Sequence, residues 1–175
     1  MACEIVVGVN SNNCCLDIES GGIREIVFLR AIDSVTNPLL LADWQAAELA
    51  GDTRKFSKVQ GSKAVSEATE APGFGRDSFM ITGRDHTLTA KVMFDPTNRD
   101  FFNNLNKDSS WYVAYTTETN VFISQAPVSV NADHEVQEDK NTIVTHNMTL
   151  KWKTSELDKS YSLAATKEYF TECDA

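Results

Sequence analysis

Three histidines, His86, His134 and His146, are the imidazoles of this chain, and each falls on the apolar phase of a segment that alternates apolar and polar residues. Three imidazoles converging from neighbouring strands would be a zinc-ligand set with one open position. The same placement suits hydrogen-bonded core histidines or histidines at a subunit interface, and the sequence predicts no metal. Trp111, Tyr112 and Tyr115 could form a flat platform for a sugar, although Trp-x-Val-x-Tyr alternation also fills a core. Glu135, Glu138 and Asp139 gather at a turn, where charge is solvated. Asp95 and Asp100 bracket a helix start and are accounted for by capping and the helix dipole. Cys3, Cys14, Cys15 and Cys173 lie near the termini without CxxC spacing, which suits free thiols in a reducing cell, with a metal or disulfide clasp as the alternative. GxSxG, P-loop, HExxH and GxGxxG patterns are missing. The residues therefore predict a protein that is not an enzyme, with no catalytic residue and no cofactor.

The elements that must position these side chains are mostly strands. Val128, Val130, Ala132, His134 and Val136 share one phase, and after the polar turn at Gln137–Asn141 the inward set is Val144, His146, Met148, Leu150 and Trp152. A period of two with one wet and one dry face belongs to a long antiparallel hairpin, of the kind that builds sandwiches and barrels. Ile23 to Ile32 is apolar on both phases, which predicts a strand covered on both faces. Asp43 is placed to cap a short helix from Trp44 to Ala50, stopped by Gly51. Arg76–Thr82 and His86–Phe94 read as a hairpin about Gly83-Arg84-Asp85. Asp95-Pro96 starts a helix running to about Lys107, with Phe101, Phe102 and Leu105 as its apolar stripe. Trp111 to Tyr115 and Val121 to Ser124 are strands about the turn at Thr117–Asn120, Pro127 marks an edge or bend, and Ser160 to Phe170 fits strand or helix equally.

The result is a single domain, residues 1–175, mainly β with one or two short helices: an antiparallel β-sandwich or barrel. The stretch 51–75 is poor in core residues and predicts a protruding loop or hairpin arm, ordered against a partner subunit if the protein assembles. Its candidate interface residues are Arg54, Phe56, Lys58, Val59, Lys63, Val65 and Phe74.

A net charge of −9 and a pI near 4.8 argue against a surface built to grip phosphates. They permit a wall that repels nucleic acid and lets it slide past. Met1-Ala2-Cys3-Glu4 lacks the basic region of a secretory leader, and nothing approaches a run of ~20 apolar residues. The sequence thus predicts no membrane association and reads Asn147-Met148-Thr149 as ordinary strand chemistry.

Two stretches carry a resemblance. The opening, a cysteine and an Asn-rich turn followed by Gly21-Gly22-Ile23-Arg24-Glu25-Ile26-Val27-Phe28-Leu29, resembles small structural proteins of phages and prophages of Bacteroides-type bacteria, including the crAss-like group. The order from His86 to Thr154 (strand, Pro-capped helix, strand pair, long hairpin) is similar to the tail-tube fold of long-tailed phages. The resemblance implies a virion structural protein that forms stacked, hexameric rings, with the midsection arm touching the adjacent ring. DNA would pass through the lumen without specific binding, and the other partners would be tail or neck proteins. It implies a place in the virion tail after assembly in the bacterial cytoplasm. The cysteine-bearing terminus leaves a neck, portal or tail-hub ring as an alternative. A carbohydrate-binding β-sandwich using Trp111 and Tyr115, and a small metalloenzyme built on the three histidines, are the rivals from other classes.

Overall fold

The computed structural model describes residues 22–72, 79–136 and 144–171. The first half of the chain holds β1 (Glu25–Leu29), α1 (Leu41–Leu49), β2 (Thr53–Phe56), β3 (Gln60–Lys63), β4 (Glu67–Pro72) and β5 (Phe79–Met93). The second half holds α2 (Arg99–Leu105), β6 (Tyr112–Thr116), β7 (Asn120–Ile123), β8 (Ser129–Glu135), β9 (Thr145–Thr154), β10 (Lys159–Ser162) and α3 (Lys167–Thr171). The chain is mainly β, as its polarity pattern predicts, with two antiparallel sheets packed face to face. One sheet has the order β10-β7-β6-β1-β2; the other runs β3-β5-β9-β8, with β4 also paired to β5.

The two-faced apolar character of β1 has a direct structural cause. Ile26 and Phe28 face the core between the sheets, whereas Val27 and Leu29 face a second core under α1 and α3, built around Trp44, Tyr169 and Phe170. All four β1 side chains are fully buried. At about 1.5–3 kcal/mol per fully buried large aliphatic or aromatic side chain, β1 is the axis of the fold.

Two corners tie the sheets together. Ile23 bridges Gly61, where a Cβ on Gly61 would come within 3.0 Å of the Thr89 carbonyl oxygen, so only glycine lets the two backbones approach. At the other corner the Val128 N–H donates to the Trp111 carbonyl at 2.7 Å.

The opening between the sheets at the β2 side is plugged by α2. Asp95 accepts from the Thr97 N–H at 2.9 Å and Pro96 sets the first turn, so the capping signal works as predicted, through a short 3₁₀ turn. Phe102 and Leu105 are buried. Just past the helix, Asn106 pairs with Ala132 like a strand neighbour: its amide donates to the Ala132 carbonyl at 2.9 Å and accepts from the Ala132 N–H at 2.7 Å. The free side of β8 is thereby closed within the chain.

Three local expectations need correction. No turn exists at Gly83: β5 is one strand of 15 residues. Thr69 faces Gly83 and Glu70 faces Ile81, so the irregularity there is a bulge, not a reversal. Asp43 does not cap α1, which begins earlier; its carboxylate accepts from the Asn37 N–H at 2.8 Å instead. The C-terminal stretch is strand and helix in turn, β10 then α3.

Candidate assembly interface and buried polar sites

The midsection divides into body and arm. β2 and β3 belong to the two sheets, and Phe56 and Val59 are core residues. Phe56 stacks on Phe102 at 5.3 Å and meets Phe28 edge-on at 6.0 Å, so these two side chains are withdrawn from the interface set. Arg54, Lys58 and Val65 are at the surface, Val65 being 93% exposed. Lys63 is half-buried, with its ammonium 3.6 Å from Asp158. Phe74 lies outside the described residues.

The arm is narrower than 51–75. β9 accompanies β5 only from Arg84 onward, so among the described residues Phe79–Gly83 pairs with β4 alone. The result is a two-stranded ribbon that leaves the body. Glu67, Thr69, Glu70 and Ile81 are exposed on it.

A cleft of about 940 Å³ lies between β2 and α2. Its chemistry is cationic and aromatic. The Arg30 guanidinium sits 4.8 Å over the Trp111 ring, and Arg54 sits 5.9 Å over Phe101 while donating to Asn98 Oδ1 at 2.6 Å. Lys55 donates to the Tyr169 carbonyl at 2.6 Å with its ammonium 4.5 Å over the Tyr169 ring. Sequence reasoning selected Arg54 for an interface and Trp111 for a sugar platform, and it missed Arg30 and Lys55. Arg30 and Trp111 are far apart in sequence, and only the β1–β6 pairing that sets Leu29 against Tyr112 brings them together.

The histidines do not converge. His134 and His146 are direct cross-strand partners. His86 pairs with Trp152, while His146 pairs with Val92, six residues further along β5 or roughly 20 Å away. Among the described residues no group of three His, Cys, Asp or Glu side chains could hold a metal. His134, expected on the inward phase, is at the surface instead, its side chain 59% exposed and Nδ1 3.3 Å from the Asp133 carboxylate, whereas the other two rings are packed on aromatics. His86 lies flat on Trp152 at 5.2 Å and is fully buried. Burial lowers its pKa, and Lys63 and Arg84 add to this against the opposing pull of Asp158 and the Glu156 backbone. His146 packs between Phe102 at 4.5 Å and Phe94 at 4.8 Å, and burial lowers its pKa too. Both rings are neutral packing groups at pH 7.

Near His86 stands a polar node that the sequence did not disclose. The Asp158 carboxylate, its side chain 4% exposed, accepts from the Tyr115 hydroxyl at 2.7 Å and from the Trp152 indole N–H at 3.0 Å, with Lys63 beside it. Burial, then the Asp158 charge, raises the Tyr115 pKa. One carboxylate therefore ties β6 of one sheet to β9 and β3 of the other. The rings proposed for a sugar platform share no open face. Tyr115 is buried in the inter-sheet core, Tyr112 packs against the core under α1 and α3, and Trp111 is covered by Arg30.

Glu135 is in an exposed pair with Lys91 at 3.2 Å. Glu138, Asp139 and the four cysteines lie outside the described residues. Among the described residues no helix is long and apolar enough to cross a membrane. In comparisons with known proteins, no family model, curated protein or solved structure matches this chain.

Proposed function

We propose that this chain is a structural subunit that assembles with copies of itself, of the phage tail-tube kind: stacked rings, hexameric by that resemblance, around a passage for DNA. The observation that carries this reading is the ribbon of β4 and Phe79–Gly83. Two strands without a third, or without a core beneath them, are marginal in water, so a ribbon that leaves the body is accounted for by a neighbour that covers it. Among the described residues β2 and β10, at the ends of their sheet, likewise have a strand partner on one side only, and such edges are sites of pairing between chains.

The outer face of the second sheet supports the passage. Across four strands the register aligns Ser62, Thr89, Thr149 and Asn131, a row of short uncharged polar side chains. The charges flanking it are partly neutralised in place, Lys91 by Glu135 and Lys153 by Asp85. A face of this composition offers no array of free cations to hold phosphates. Negative-stain imaging of the concentrated protein tests the proposal: rings or tubes with a central opening are expected, and a field of separate small particles would refute it.

A further inference from the structure

We propose that the cationic cleft between β2 and α2 receives the acidic arm of a second copy. This inference rests on the self-assembly reading and names the contact that would drive it. The chain carries 25 acidic and 16 basic residues, so four cations at one cleft, Arg30, Arg54, Lys55 and Lys107, run against the overall balance; Glu48 and Asp108 are the acids that line it. Among the described residues neither Arg30 nor Arg54 is in a salt bridge. Each is nevertheless held in place by the ring beneath it, and Arg54 by Asn98 as well. A guanidinium laid on an aromatic face keeps N–H donors at its edge and has lost part of its rotamer freedom in advance, which is the preparation a carboxylate partner needs.

The arm has the complementary character. Glu67 and Glu70 are exposed, and among the described residues neither is in a salt bridge. Ile81, 48% exposed on the partner strand of the ribbon, and Val65 just before it offer apolar cover for the rims of Phe101 and Trp111.

Placement completes the argument. The arm leaves the body at Gly83. The helix that walls the cleft is anchored at the other end of β5, through Phe102 on His146 opposite Val92. Ten residues separate Gly83 from Met93, roughly 33 Å of strand. Donor arm and acceptor cleft are different surfaces of one molecule, so the same contact can repeat from copy to copy.

A charge-swap series tests this by mass photometry, with circular dichroism confirming that each variant folds. Glu67→Lys with Glu70→Lys gives an arm variant, and Arg30→Glu with Arg54→Glu gives a cleft variant. Each is expected to raise the concentration for half-assembly by about tenfold or more at low salt, since the two charges each variant reverses turn attraction into repulsion. Mixing the two variants should restore assembly, because each reversed arm then meets a reversed cleft. If the wild type assembles and the reversals leave it unchanged, or if mixing fails to rescue two folded variants, the arm-in-cleft contact is refuted while self-assembly stands. A wild type that stays monomeric overturns both.

Discussion

At the residue scale the decisive group is Asp158, a buried carboxylate in a loop whose partners come from β6, β9 and β3. Its removal strands the Tyr115 hydroxyl and the Trp152 indole N–H without partners and leaves Lys63 without its counter-charge. Asp158→Ala is expected to cost about 2–4 kcal/mol and Tyr115→Phe about 1 kcal/mol, read from urea unfolding midpoints. Equal, negligible losses would mean that the node does not hold the sheets together. His86 sets a pH dependence. Its folded pKa is lowered from the ordinary histidine value by burial, so the unfolded chain binds the proton more readily. The stability associated with its neutral ring is present above about pH 6.5 and is lost as pH falls below that value. His86→Phe keeps a ring on Trp152 and removes the titration, so its melting temperature should fall less between pH 7 and pH 5 than that of the wild type. Identical pH slopes would show that His86 is not the sensitive group. Little of this was legible in sequence. The inward phase of His86 and His146 could be read, but the partner of Tyr115 is a single aspartate in an irregular loop, which no periodicity marks.

At the element scale the long hairpin of β8 and β9 was legible because strict alternation is enforced by one wet and one dry face, and β1 because both of its phases are apolar. The Asp95-Pro96 start of the helical segment was legible because capping is local chemistry. Two readings failed where local signals compete with pairing. Gly83 looked like a turn, yet β4 and β9 together hold β5 extended through it. Phe56 and Val59, set among polar neighbours, looked like parts of an arm, yet they enter the core, Phe56 at the end of the four-residue β2 and Val59 in the short connection to β3, segments too short to show a period. The Asn106–Ala132 pairing belongs to this scale as well, since it gives β8 a substitute neighbour. Asn106→Ala should cost about 1–3 kcal/mol by stranding the Ala132 N–H and carbonyl. It should also add a non-native association route through the reopened edge, seen as light scattering that persists at high salt, where that of the wild type recedes. A variant as stable as the wild type, with the same scattering at high salt, would show that α2 covers the edge without that pairing.

At the scale of the whole molecule, two cores and two corners make the body, and the ribbon, the β2 and β10 edges and the cationic cleft stand outside that packing. On the self-assembly proposal these are the surfaces where copies meet, since an acidic protein with a basic cleft and an acidic arm carries both halves of a contact. Composition showed the acidic excess, but the cleft is assembled from segments of β2, α2 and the loops that follow β1 and precede β6, so its charge was hidden in the linear order. The central claim is that the single chain is an incomplete unit completed by its own copies. Sedimentation velocity across a wide range of protein concentration addresses it most directly. Discrete heavy species that grow with concentration and recede at high salt are predicted, and one sharp boundary at 19.4 kDa at every concentration would contradict it.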